Sequence, residues 1–462
     1  PTHGISVGDV TATSAVVWMR GGSAGWLNVV ARSAAGTSTG VARAARERDF
    51  IGKVELRDLS PGTWYDVVAW MTRSPDRELP PARATRLSFS TAPSAGEPAR
   101  VSFAWGGDVG GQNVCRDSRR GYPAFRTLSR LSLSFFVGLG DMIYADGTCL
   151  AHGGYGNPQV PGEFPRSTRL SHFRAHWAYN REDPHSRALL ARTPYLAVWD
   201  DHEIANDAGP FHDRSTADLS IPLMRMALRS FLEWNPVAEP AATPGRLYRS
   251  IRWGRHLELI VLDTRQYRDP NYAPDTAERP KTMLGREQRM WLEERLRSDA
   301  TWKVVVSSVP MSIPTGQDSF GRDGWANEEG PTGFERELVA ILRYAHAIGI
   351  RNMLWISTDA HFGAGFRYRP FAEDPAFVVH EIITGPLNAA LFPSDRLDST
   401  LRPERLFHHG PEDAGAVRDL DTALSWMTYG LVQIDERGRL TVSVHRVATG
   451  EQVFAQTLTP RD

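Results

Sequence analysis

Five hydrophobic runs in this chain each end in residues able to do chemistry. The run Leu131–Leu139 leads into Gly140-Asp141-x-x-Tyr144, and Tyr195–Trp199 leads into Asp200-Asp201-His202-Glu203-x-x-Asn206. Asn352–Ser357 delivers Thr358-Asp359-Ala360-His361, Val101–Trp105 delivers Gly106-Gly107-Asp108, and Leu257–Leu262 delivers Asp263-Thr264-Arg265. A carboxylate just beyond a buried strand is where an α/β sheet places its chemistry. One such Asp alone is as readily a helix cap. Three acids, an imidazole and an amide behind a single strand need pairing or a cation if they are buried. Carboxylate, imidazole and amide donors suit iron, zinc, manganese or calcium, and not copper or an iron–sulfur cluster. A binuclear metal centre is therefore the economical account of the converging strand ends. Two cations can share one carboxylate, orient a water or hydroxide, and neutralise charge growing on a phosphoryl group, so no Ser-His-Asp triad is required. His202, between Asp201 and Glu203, reads as a general acid or an orienting group.

The elements that must hold these residues fall into two parts. Residues 1–96 read as all-β, with short strands around Ala15–Trp18, Leu27–Ala31, Lys53–Leu56, Trp64–Trp70 and Ser88–Thr91. Their number and spacing predict a sandwich. The early Trp18, the Leu59-x-Pro61-Gly62-x-x-Tyr65 segment and Thr91 resemble an immunoglobulin or fibronectin type III module. From Val101 onward, apolar runs alternate with segments of helical period, which predicts an α/β domain over 97–462 ending in a hairpin at 430–444. Helices are expected over 122–130, 169–179, 219–234, 284–296 and 334–346, with Met290, Leu292 and Leu296 as the inward stripe of the fourth. The segments 146–166, 310–325 and 386–420 read as long loops, the last as a lid.

Composition narrows the classes of function. The 462 residues are 41% hydrophobic and 23% charged, enough for a large core, and the net charge of -1 gives no electrostatic case for nucleic acid. No apolar run reaches membrane-spanning length. Arg116, Arg119 and Arg120 read as solvated surface. Cys115 and Cys149 are compatible with one disulfide in an exported protein or with two free or metal-adjacent thiols. No signal peptide is visible ahead of Pro1-Thr2-His3, as would also hold for a mature form after processing.

Taken together, Gly140-Asp141-x-x-Tyr144, Trp199-Asp200-Asp201-His202-Glu203 with Asn206, Asp263-Thr264-Arg265-x-Tyr267-Arg268, the Trp302 strand and Asp359-x-His361 resemble the alkaline phosphatase D family. This is a branch of the calcineurin-like metallophosphoesterases that includes phosphodiesterases and a phospholipase D-like enzyme. The resemblance implies two packed β-sheets flanked by helices, behind an immunoglobulin-like domain. It implies Asp108, Asp141, Tyr144, Asn206, Asp359 and His361 as metal ligands, with Asp141 bridging and Tyr144 on ferric iron. His202, Asn206 and Asp201 are the implied catalytic residues. The implied cofactor is Fe(3+) with Ca(2+), with Zn(2+) or Mn(2+) as alternatives.

Three departures from the family pattern stand out. Trp105-Gly106-Gly107-Asp108 replaces a Ser-Cys motif, no cysteine precedes Cys115, and Glu233-Trp234-Asn235-Pro236-Val237 lacks the arginine of Met-Pro-x-Arg. Arg229 or Arg265, beside Asn206, is the expected substitute for binding substrate. The expected activity is hydrolysis of phosphate monoesters or diesters by a secreted or periplasmic enzyme. A phospholipase D-like phosphodiesterase or phosphotriesterase acting on a phospholipid-like substrate is the alternative. A non-catalytic surface or carbohydrate-binding protein is the reading of another class. No nucleic-acid partner or stable membrane insertion is expected.

Overall fold

The computed structural model describes residues 1–75, 80–210, 217–316, 321–328, 330–393 and 396–461. Residues 317–320 of the expected 310–325 loop and 394–395 of the 386–420 segment lie outside the described residues.

Strands of near-continuous apolar sequence, such as Leu257–Val261 and Met353–Ser357, are buried on both faces and so need cover above and below. They obtain it by stacking two sheets and layering helices outside them. The first sheet has nine strands, in the order Gln452–Leu458, Leu440–Arg446, Thr428–Ile434, Val101–Gly106, Phe135–Leu139, Tyr195–Val198, Ile5–Gly8, Ala15–Arg20 and Ile51–Leu56. The second has seven, in the order Arg249–Trp253, Leu257–Val261, Trp302–Val306, Met353–Ser357, Val379–Ile383, Gly363–Tyr368 and Pro403–His409. Their facing side chains form one core that includes Phe103, Val137 and Val198 from the first and Leu259, Val304 and Ile356 from the second. Each such side chain fully removed from water contributes roughly 1.5–3 kcal/mol before entropy is counted. Helices Leu170–Arg181 and Ala217–Trp234 cover the outside of the first sheet through Phe173, Trp177 and Phe231. Gly285–Leu296 and Glu335–Ala347 cover the second through Leu292, Leu296, Leu338 and Ile341. The expected layers of two sheets between helices are therefore present.

The N-terminal region departs from a free-standing module. Gly25–Ser33, Gly36–Ala44, Trp64–Thr72 and Thr85–Ser90 form their own four-stranded antiparallel sheet. Ile5–Gly8, Ala15–Arg20 and Ile51–Leu56 pack over it through Val7, Val17 and Val54. Those three strands nevertheless belong to the nine-stranded sheet, because Ile5–Gly8 lies parallel to Tyr195–Val198 in the register Gly8↔Tyr195. Hydrogen bonding thus continues across residue 96. Side chains alternate along a strand, so when Val17 and Met19 face the N-terminal core, Trp18 faces the opposite side. Its indole donates to the carbonyl of Glu233 at 2.8 Å.

Three other expectations are revised. Met290 is 59% exposed, and Gln288 takes the inward position on that helix, exchanging hydrogen bonds with the backbone of Asp263 at 2.8 Å each way. The 386–420 segment contains the strand Pro403–His409. The terminal hairpin is a three-stranded meander completed by Gln452–Leu458. Cys115 and Cys149 form a disulfide, which ties the segment after Asp146 to the one after Asp108. Among the described residues, no helix is long and apolar enough to cross a membrane.

Candidate metal centre

The parallel strands Val101–Gly106, Phe135–Leu139 and Tyr195–Val198 run together in one sheet. Leu257–Val261, Trp302–Val306, Met353–Ser357 and Val379–Ile383 do so in the other. All seven discharge their next residues at one edge, where cross-sheet bonds close the gap. The Thr358 hydroxyl donates to the Leu139 carbonyl at 2.7 Å, and the Ser308 hydroxyl donates to Asp200 at 2.5 Å. The turns are tight. Asp108, Asp141, Asp359 and His361 all have left-handed backbone, with φ of 59°, 52°, 69° and 59°. This is an unfavourable region for a residue with a Cβ, held only where the surroundings enforce it, and it concentrates at functional sites. Gly107 is required by space, because a Cβ there would meet the carbonyl oxygens of Leu139 and Gly140 at 2.5 Å.

What these turns assemble is a knot of negative charge. Asp141, Asp200, Asp201 and Asp359 offer ligand oxygens all within 4.8 Å of one another, and Asp141, Asp201 and His202 form an overlapping set. Asp108 is 1% exposed and neither of its carboxylate oxygens has a hydrogen-bond partner. One oxygen each of Asp141, Asp200 and Asp359 is likewise buried and unpartnered. Burial, reinforced by Asp200, pushes the Asp108 carboxyl up to about 8. Burial and the neighbouring aspartates push Asp141 and Asp359 well above the usual carboxylate range. Carboxylates in this state are strongly destabilising unless a cation sits among them. The donor set fits hard or borderline cations, so the residues present fit a metal centre.

The histidine and phenol ligand candidates sit on the same knot. His361 presents Nε2 at 3.4 Å from Asp108 and 3.1 Å from the Tyr144 hydroxyl. Its Nδ1 donates to the Ala390 carbonyl at 2.5 Å, which fixes the tautomer and leaves Nε2 as a lone-pair donor. Burial lowers His361 to about 4, so the ring is neutral. Burial, with Asp141 and Asp108 nearby, raises the Tyr144 phenol well above its usual value, so a phenolate there needs a cation. His202 differs. Burial pulls its pKa down, yet Asp201 and Asp146 outweigh that and hold it up at about 9. Its Nδ1 lies 2.8 Å from Asp146 Oδ1 and its ring 4.1 Å from that of Tyr144.

Several residues beyond the predicted ligands build the frame. Glu203 accepts from the backbone N–H groups of Asp141, Met142 and Asp200 at 2.7–3.0 Å, locking two strand ends together. Asp146, Asp207 and Asp323 were missed by sequence reasoning. Asp146 follows directly on the Tyr144 motif and precedes a glycine, which is the one signal that marked it. Asp323 sits in a polar loop with no apolar run before it, yet with Asp201 and Asp207 it forms a third acidic group of ligand spacing.

The two arginines expected to bind substrate are both held by acids. Arg265 is wholly buried, its Nε on Asp200 at 2.5 Å and both terminal nitrogens on Asp323 at 2.7 Å, so its donor edges are spent on carboxylates. Arg229 lies on the outer face of its helix, held by Glu233 at 2.9 Å and by the carbonyl of Glu47. Asn206 is exposed beside the cluster, tied in by its backbone N–H to Asp146 at 2.9 Å.

The same two-sheet architecture occurs in solved phosphatases. The structure of PhoD superposes with a TM-score of 0.76 at 18% identity, covering 100% of this chain and 92% of that one. The purple acid phosphatase PPD1 from yellow lupin (Lupinus luteus) seeds gives 0.63 at 11% identity, covering 98% and 74%. At these identities the likeness is one of fold. The PhoD-like phosphatase family model matches residues 103–446, and the chain belongs to that family. Alkaline phosphatase D of Bacillus subtilis (strain 168) is 26% identical over 303 residues, 62% of this chain, and the match spans about half (49%) of that relative's length.

Proposed function

We propose that the chain is a metal-dependent hydrolase of phosphate esters, acting on monoesters or diesters. The observation that carries this is the set of buried, unpartnered oxygens on Asp108, Asp141, Asp200 and Asp359 at one edge of the paired sheets, in a PhoD-like phosphatase family member. Asp108, Asp141, Asp359, His361 and Tyr144 would hold two cations, with Asp141 between them and Asn206 completing the set from the rim. Cations bound there supply Lewis acidity and neutralise the charge that develops on a transferring phosphoryl group. Tyr144 favours ferric iron for one position, and the carboxylate-rich remainder suits Ca(2+), with Zn(2+) or Mn(2+) as alternatives.

The protein's own groups have distinct parts. His202, kept protonated by Asp201 and Asp146, would give a proton to a leaving oxygen from Nε2 while Asp146 holds Nδ1. Asp201 anchors the turn, accepting from the backbone N–H groups of His202 at 2.9 Å and Asp207 at 2.5 Å. With Arg265 and Arg229 both committed to acids, recognition of a doubly charged monoester lacks the arginine clamp expected of them, which favours a singly charged diester. The Cys115–Cys149 disulfide supports an oxidising compartment, secreted or periplasmic. Turnover of p-nitrophenyl phosphate and bis-p-nitrophenyl phosphate by purified protein tests the reading. Hydrolysis that chelation abolishes and metal restores is expected, with the diester preferred. Inertness toward both esters after loading with each of these metals contradicts it.

A further inference from the structure

At the other end of the same strands lies a trough that the chemistry above does not use. A cavity of about 850 Å³ opens between the four-stranded sheet and the segments entering Phe135–Leu139 and Tyr195–Val198. A second, of about 530 Å³, continues toward the C-terminal meander and shares Arg100 and Ser134 with the first. Each is of the size that encloses a drug-sized ligand, and together they suit a chain of linked units.

The lining follows from strand alternation. Thr85–Ser90 is an edge strand. Leu87 and Phe89 turn into the N-terminal core, so Arg86, Ser88 and Ser90 face the trough. The register places Trp64 opposite Ser90 on that same face. Trp64 is 60% exposed, the most exposed large apolar side chain among the described residues. The opposite wall adds Ser132, Ser134 and Thr193, and the second cavity adds Gln433 and Thr441. The charged groups divide into two kinds. Arg100 is paired with Glu436 at 2.6 Å and Arg439 with Asp435 at 3.0 Å. Arg86 and Arg192 are exposed, and no carboxylate pairs with either among the described residues. Glu97 is the one acid of the first cavity.

We infer that this trough binds an acidic saccharide chain. An indole face half open to solvent packs against the C–H face of a pyranose ring. Hydroxyl-lined walls exchange hydrogen bonds with sugar hydroxyls, and forked guanidinium groups on Arg86 and Arg192 pair with carboxylate or sulfate substituents. The inference is independent of the hydrolase reading, because the trough and the metal cluster lie at opposite ends of the strands.

Titration calorimetry with hyaluronan and polygalacturonate oligosaccharides, and with maltohexaose as a neutral control, tests it on the full chain. At least one acidic oligosaccharide is expected to bind, about tenfold or more tighter than maltohexaose, and more weakly as salt rises. Trp64→Ala and the double variant Arg86→Ala/Arg192→Ala should each weaken that binding about tenfold, while Trp64→Phe retains most of it. All three positions are exposed, and unchanged circular dichroism would confirm folding. Turnover of a nitrophenyl ester should be the same in all variants. Failure of both acidic oligosaccharides to bind overturns the inference. So does binding indifferent to these substitutions, or equally tight binding of a polyglutamate peptide.

Discussion

Chelating the proposed cations should make the folded protein lose stability more steeply as pH rises than the loaded protein does. In the metal-free chain, burial and Asp200 lift Asp108 to about 8, against ~3.9 for an unfolded aspartate. A carboxyl raised on folding contributes stability that is fully present below its unfolded value. That stability is lost as pH climbs through the folded value. Across the window the loss is ~1.4 kcal/mol per pH unit for each group. From about pH 5 to about pH 8, Asp108 alone costs about 4 kcal/mol. Unfolding 462 residues at ~2.1 cal/mol/K each carries an entropy of about 1 kcal/mol/K, so Tm falls by roughly 4 °C. Asp141 and Asp359 are displaced in the same direction and steepen the slope. With cations bound, the same carboxylates stay ionised and no longer take up protons on folding in that window, which leaves only the shallower dependence from His202, held up at about 9. The assay is thermal denaturation of chelated and reloaded protein at a series of pH values. Asp108→Asn should flatten the chelated curve. Parallel curves for chelated and loaded protein would refute the reasoning, because the cluster would then not be where the cations act.

Other consequences are independent of that one. Arg265→Ala should cost about 3–5 kcal/mol, read from urea denaturation, because it strands buried Asp200 and Asp323. Arg229→Ala should leave kcat/KM within about twofold, as its partners Glu233 and Glu47 lie outside the cluster. Denatured protein should show no titratable thiol without reductant, and reduction of Cys115–Cys149, which closes a 34-residue separation, should lower stability by about 3–4 kcal/mol. If ferric iron is bound through Tyr144, the loaded protein absorbs in the visible, and Tyr144→Phe removes that band while leaving His361 in place.

The strand ends were legible in the sequence because two signals coincided. An apolar run long enough to be buried on both faces was followed at once by groups that cannot be buried alone. Asp108, Asp141, Asp201, Asp359 and His361 all carry that signature, and the structure brings all five to one knot. Arg265 carries the same signature, and the structure pairs it with Asp200 and Asp323. An arginine after a strand looks identical whether it meets a phosphate or a carboxylate 58 positions on, and Asp323 settles the matter only through tertiary contact. The pairing of Arg229 is simpler, since its i+4 partner Glu233 is visible in the sequence. Trp18 resembled part of the N-terminal module, but alternation with Val17 and Met19 turns it away from that core and buries it in the one under the outer helices. Strands such as Gly36–Ala44 and Gln452–Leu458 escaped notice because their exposed faces and small or polar residues blur the period-two pattern. The merging of the first strand with the catalytic sheet rests on the single register Gly8↔Tyr195, a pairing that no local pattern announces.

The most direct test of a hydrolase working through this cluster is a titration of chelated, inactive protein with metal, following diester turnover against equivalents added. Activity that rises to a plateau at about two cations per chain, and that Asp141→Asn removes together with metal retention, is the predicted result. Turnover that survives complete chelation, or that Asp141→Asn leaves intact, would contradict the account.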